Sequence, residues 1–84
     1  MPFTLNFSKQ AFKELEKINE PFYSNIKQAI YNLTDNPRPY GYIKLKGRDG
    51  YRIRVGDYRI IYDIFDKELV IGVITIGNRR DVYD

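Results

Sequence analysis

The chain contains no cysteine and no histidine. Without cysteine there is no disulfide and no thiolate zinc site, the habit of proteins kept in a reducing compartment, so a cytoplasmic protein is expected. Without histidine no side chain titrates near neutrality at its ordinary pKa, and any acid–base chemistry must use shifted groups. Long hydrophobic runs are missing too. None approaches the roughly 18 residues a membrane span requires, so no membrane partner is expected. The opening Met1-Pro2-Phe3-Thr4-Leu5-Asn6 has neither the basic start nor the apolar stretch of a secretory signal.

What is present reads as globular. The 84 residues are 43% hydrophobic and 15% aromatic, with eight Tyr and five Phe. That length suits a single domain, expected over 1–84, burying roughly 60–65% of its unfolded surface. The net charge of +3 is unevenly spread. Met1 to Pro37 is neutral, and Ile60 to Asp84 is acidic by two charges. Between them, Arg38 to Arg59 holds seven basic residues against Asp49 and Asp57. A basic stretch of this density suits either a polyanion partner or an ordinary solvated face.

The hydrophobic pattern changes period along the chain. Phe3 to Phe7 reads as a short strand, and Ser8 is a good N-cap for a helix beginning at Lys9. Ala11, Phe12, Leu15 and Ile18 then recur at helical spacing, with Lys13, Glu14, Glu16 and Lys17 turned outward. Pro21 suits the first turn of a second helix whose stripe is Phe22, Ile26, Ala29, Ile30 and Leu33. Asn36-Pro37-Arg38-Pro39 ends it, because a residue before proline is pushed out of the helical region. The remainder is β: Tyr42 to Leu45, Tyr51 to Val55, Tyr58 to Phe65 and Leu69 to Ile76, separated by Gly47-Arg48-Asp49-Gly50, Gly56-Asp57 and Asp66-Lys67. The order predicts an α+β fold, a helical hairpin on one face of a mainly antiparallel sheet.

A two-residue turn at Gly56-Asp57 has a sharp consequence. It sets Arg54 opposite Arg59, Ile53 opposite Ile60 and Arg52 opposite Ile61. Alternation then gives Tyr51, Ile53, Val55, Tyr58, Ile60, Tyr62 and Ile64 one face, and Arg52, Arg54, Arg59 and Ile61 the other. Like charges directly opposite on a sheet destabilise it by a few tenths to about 1 kcal/mol. An anionic ligand removes the conflict, and phosphate fits the planar guanidinium fork. The alternative is a plain exposed face whose arginines pair with Asp49, Asp57, Asp63 or Asp81.

Three segments carry a family likeness: Lys44-Leu45-Lys46-Gly47, Tyr51-Arg52-Ile53-Arg54-Val55-Gly56-Asp57-Tyr58-Arg59-Ile60-Ile61-Tyr62, and Ile76-Gly77-Asn78-Arg79-Arg80-Asp81-Val82-Tyr83. In this order and spacing the chain resembles the RelE/ParE toxin superfamily, the RelE branch in particular. The resemblance implies a β-α-α-β-β-β(-β) fold and a toxin of a type II toxin–antitoxin system. Such a toxin enters the ribosomal A site and cuts mRNA by attack of a ribose 2′-hydroxyl on the adjacent phosphate, with no metal or other cofactor. It also implies a cognate antitoxin that neutralises the toxin, with operator DNA reached only through that complex.

Position by position, the resemblance makes Arg59 the contact to the scissile phosphate, Arg79 a second phosphate arginine and Tyr83 the general base, with Asp81 in reserve. Arg52 and Arg54 fall where well-known members have lysines, and Asn78 where many have histidine. An arginine stays charged and does not readily give up a proton, so Arg52 and Arg54 read as electrostatic clamps. Guanidiniums gathered near Tyr83 would favour its tyrosinate form. Lys44, Lys46, Arg48 and Arg80 are the expected further RNA or phosphate contacts. Water, ribosomal RNA or an arginine donor would have to protonate the leaving oxygen. Two other functions share the fold: inhibition of DNA gyrase, as in the ParE branch, and a non-catalytic co-repressor role. Tyr40, Tyr42, Phe65 and the outer helix faces are candidate antitoxin contacts.

Overall fold

Ser8 shows how local chemistry starts this structure. In a computed structural model that describes residues 2–78, its Oγ accepts the Ala11 N–H at 2.9 Å and caps the first helix. The same Oγ donates to the Ile74 carbonyl at 2.6 Å, so the cap also ties the helix to a strand far along the chain. The elements are β1 (Thr4–Phe7), α1 (Lys9–Glu16), α2 (Phe22–Asn32), β2 (Ile43–Lys44), β3 (Tyr51–Val55), β4 (Tyr58–Phe65) and β5 (Val70–Asn78). Arg79, Arg80, Asp81 and Tyr83 lie outside the described residues.

The five strands form one sheet in the order β1-β5-β4-β3-β2. Only β1 and β5 run parallel; the other neighbours are antiparallel. Both helices pack on one face. Ala11, Leu15, Ile26, Ile30 and Leu33 meet Ile53, Ile60, Tyr62, Ile71, Val73 and Ile76 in the main core. This is the α+β architecture expected from the sequence, with the helical hairpin where the two stripes place it. No helix among the described residues is long and apolar enough to cross a membrane.

Two readings of α1 are corrected. Phe12 is 53% exposed rather than part of the inward stripe. One residue past Ala11 is about 100° around the helix, and Ala11 and Leu15 already define the buried direction. Glu14, outward-facing by periodicity, is half-buried. Its Oε1 accepts the Ile76 N–H at 2.8 Å and the Thr75 hydroxyl at 2.9 Å. The cause is topological. β1 covers β5 only from Val70 to Val73, and Ser8 N–H then donates to the Val73 carbonyl at 2.8 Å. Past that point no strand among the described residues lies along this edge of β5, and α1 satisfies the backbone there instead. A β-bulge lies there as well: Ile61 faces Thr75 while Tyr62 faces Val73, leaving Ile74 as the extra residue.

β5 starts one residue later than its apolar run suggests. Leu69 has φ +58°, in the left-handed region, and belongs to the turn. Tyr40, Tyr42 and Phe65 are all exposed and belong to neither core cluster.

Candidate nucleic-acid interface

Gly56 makes the interface. Its φ of +59° is what the first position of a tight two-residue hairpin turn of the II′ type requires, and Asp57 completes the turn. The register that results pairs Val55 with Tyr58, Arg54 with Arg59, Ile53 with Ile60, Arg52 with Ile61 and Tyr51 with Tyr62. This is the pairing the sequence predicts. Ile53, Ile60 and Tyr62 enter the core beneath the helices, with Tyr51, Val55, Tyr58 and Ile64 packed against it. Arg52, Arg54 and Arg59 therefore share the opposite face.

Directly opposed residues hold their Cβ atoms roughly 4.5–5.5 Å apart. Two residues along a strand add roughly 7 Å. The three arginines thus arise from a patch of backbone the size of one nucleotide linkage. Each sits in a different setting. Arg54 is exposed, Arg59 is half-buried and Arg52 is only 4% exposed. The burial of Arg52 follows from its cross-strand neighbours, Ile43 on β2 and Ile61 on β4, which flank its aliphatic stem. Leu45 and Ile61 are buried on this side, with Ile74 against them, so a small apolar cluster supports the arginine face. Sequence reasoning placed Ile61 here but missed Leu45 and Ile74. A bulge inside a continuous apolar run leaves no sign in the periodicity.

The strand neighbours also shape the patch. Gly77 lies opposite Arg59 and contributes no side chain. Asp63 lies opposite Gly72, four residues along β4 from Arg59. Asp63 thus places a carboxylate on this face at the end away from the Gly56 turn, while Arg54 and Arg59 stand beside the turn. Asp66 pairs with Arg38 at 3.0 Å, not with this face.

Other predicted contacts are less convergent. Lys44 stands opposite Tyr51, and its Nζ lies 5.2 Å from that ring's centre. Tyr51 packs on the helix side, so Lys44 does not join the arginines; an alternating strand puts Ile43 there instead. Lys46 and Arg48 are exposed in the loop closed by Leu45 N–H to the Gly50 carbonyl, at the end of β3 away from the Gly56 turn. Asn78 is opposite Tyr58, a helix-side position. Arg79, Arg80 and Tyr83, and the reserve base Asp81, lie outside the described residues.

On the helix side lies a different cluster. Tyr62 donates its hydroxyl to the Pro37 carbonyl at 2.7 Å, and burial pushes its phenol pKa well above the ordinary tyrosine value. Arg38 stacks 5.6 Å from the Tyr51 ring, and its bond to Asp66 raises its already high pKa further. These groups anchor the Pro37–Pro39 segment and do not face the arginines.

The likeness to known proteins agrees with this geometry. A family model described as ParE toxin of type II toxin-antitoxin system, parDE, matches residues 5–83. The chain belongs to the RelE/ParE toxin superfamily. Within that superfamily it is 30% identical over 83 residues to the mRNA interferase toxin RelE of Escherichia coli (strain K12), covering 95% of this chain and 86% of the relative. The fold matches the toxin in the crystal structure of the archaeal RelE–RelB complex from Pyrococcus horikoshii OT3, with a TM-score of 0.84 and 31% identity over 98% of this chain and 100% of that one. It also matches the intact E. coli RelBE toxin–antitoxin complex, with a TM-score of 0.79 and 29% identity over 90% and 95% of the two chains. The chain is thus a RelE-like toxin of a type II toxin–antitoxin system.

Proposed function

We propose that this toxin is a ribosome-dependent endoribonuclease that cuts mRNA in the A site and is held inactive by a cognate antitoxin. The observation that carries the reading is Arg54 directly opposite Arg59, with Arg52 one step along the same face. The arrangement opposes like charges and gains its purpose when a phosphodiester lies between them. In this reading the ribose 2′-hydroxyl attacks the neighbouring phosphorus, the bond to the 5′-oxygen breaks as that oxygen takes a proton from water, and the products are a cyclic phosphate and a 5′-hydroxyl. Arg59 holds the scissile phosphate. Arg54 and the buried Arg52 stabilise charge on the phosphoryl oxygens, where a low local dielectric strengthens the interaction. Arg79 adds to the clamp, Tyr83 takes the 2′-hydroxyl proton, and Lys46, Arg48 and Arg80 contact the RNA further out.

The kinship to an mRNA interferase RelE supports the nuclease reading, and the RelE–RelB complexes support the antitoxin. Induction in bacteria followed by primer extension tests it: cuts are expected inside translated messages only. A halt in translation with every message intact would refute it. Because the matching family model is described as a ParE toxin, gyrase inhibition is the second reading. A supercoiling assay with purified gyrase separates the two, and inhibition at low toxin excess would favour the ParE-type activity.

A further inference from the structure

We infer that a small cavity beside β3 is a base-reading pocket, which takes one nucleobase of the mRNA strand held at the arginines. It rests on the ribosome-dependent reading and extends it from the phosphate to the base. The cavity has a volume of about 230 Å³ and lies where α2, the Pro39–Gly41 segment and β3 meet. Buried Ile53 and half-buried Ala29 line its inner part, and exposed Asn32, Tyr40 and Arg54 line its rim. It is smaller than the roughly 300–1,000 Å³ of a site for a drug-sized molecule, so it suits one planar ring system with an apolar face.

A turn makes the cavity. β2 pairs with β3 only at Arg52 and Tyr51. Just before β2, Tyr42 N–H donates to the Pro39 carbonyl at 3.0 Å, and Gly41 has φ +89°. That φ is what the third position of a type II turn requires, and glycine meets it without strain. The turn carries the chain away from Ile53 and Arg54, so the cavity opens where a longer ladder would have run. It also puts Tyr40 at the second position, pointing away from the core. Tyr40 is 107% exposed. Other exposed rings have neighbours: Tyr42 lies 6.1 Å from Tyr51, and Phe22 lies 5.6 Å from Tyr58. Among the described residues no ring stacks on Tyr40. An aromatic face at the mouth of a cavity is the surface on which a single-stranded base stacks.

Two observations select a base as the occupant. The first is continuity. Arg54 lines the cavity and also stands opposite Arg59, so the pocket and the phosphate clamp share a residue. A strand whose phosphate is held there turns a neighbouring base over the edge of β3 and into the cavity. The second is direction. The Asn32 Oδ1 accepts from Gln28 Nε2 at 3.0 Å, which fixes the amide and makes its NH2 the group offered to a ligand. A donor there favours uracil or guanine, which carry a carbonyl oxygen where cytosine and adenine carry an amino group. Against an amino group, donor would meet donor.

The test titrates toxin against bacterial ribosomes carrying mRNAs whose A-site codons differ by one base and have 2′-O-methyl groups, so that binding is read without cutting. Tyr40→Ala should bind about tenfold more weakly, and Tyr40→Phe, which keeps the ring, should stay within about twofold of wild type. At one codon position wild type should prefer uracil to cytosine and guanine to adenine by about tenfold. Asn32→Asp replaces the donor with an acceptor and should reverse that order. The readout is a ratio between codons, which a general charge penalty does not move, and circular dichroism checks each fold. Codon ratios in Asn32→Asp equal to those of wild type would overturn the inference and leave the nuclease reading standing. Wild-type affinity in Tyr40→Ala would also overturn it, and loss of gyrase inhibition in that variant would then assign the rim to a protein partner. If unmodified mRNA is not cut while both variants behave as expected, the nuclease reading fails and the pocket holds. A wild-type protein that does not bind these ribosomes would sink both.

Discussion

Ile60 and Arg59 are adjacent in sequence and belong to opposite worlds. Ile60 is fully buried among the helices and opposite Ile53 and Ile76. Arg59 faces Arg54 and the side-chain-free Gly77 on the other surface. One face of the β3–β4 ribbon has its neighbours matched in kind, apolar against apolar, with the Tyr62 hydroxyl satisfied by Pro37. The other sets like beside like where the like is charge. Strand alternation keeps the two requirements independent, so a fold of this size carries an arginine-rich patch on the back of the same strands that hold its core.

The largest effects should come from these two neighbours. Ile60→Ala removes buried volume that the packed helices cannot refill, and urea unfolding should show a loss of about 2–5 kcal/mol. Arg59→Ala should leave the urea midpoint nearly unchanged and lower mRNA cutting on ribosomes by about 10²–10³-fold. If the two variants lose stability equally, the separation of the faces is wrong. Ser8→Ala removes both the α1 cap and the bond to the bulged strand at Ile74, at a cost of about 0.5–2 kcal/mol in thermal unfolding. Tyr62→Phe should cost about 1 kcal/mol at neutral pH through the lost bond to Pro37. Its pH dependence is diagnostic. The folded phenol titrates above its ordinary value of 10.0. The stability this group contributes is therefore complete below about pH 10 and declines above it, as the unfolded chain ionises first. The gap between wild type and Tyr62→Phe should narrow in that alkaline range. The smallest effect on stability belongs to Arg54→Thr, which should weaken phosphate binding while changing stability in urea by no more than about 1 kcal/mol. A larger loss of stability in that variant would show that Arg54 serves the fold.

The sequence was most legible where one short signal decides many positions. Gly56-Asp57 decided the register of five residue pairs, and with it the arginine face. The stripes of α1 and α2 placed the core because helical period and burial coincide there. Legibility failed where tertiary need outweighs local pattern. Glu14 is an ordinary surface residue by periodicity, and only the short reach of β1 along β5 gives its carboxylate a buried task. Lys44 belongs to a basic motif, but in a two-residue strand the face each side chain takes depends on its pairing, and that pairing sends it to Tyr51. The bulge at Ile74 was likewise hidden, since apolar residues flank it on both sides.

The parallel pairing of Thr4–Phe7 with Val70–Val73 carries a consequence for biosynthesis. β5 lies between β4 and β1, so a nascent chain cannot give β1 any neighbouring strand until the last of the described strands has emerged. A growing polypeptide thus carries its helices, and even its cationic hairpin, without a closed sheet behind them until β5 is out. Assembly of the toxin's sheet is therefore deferred until Val70–Asn78 is free to enter between its two neighbours.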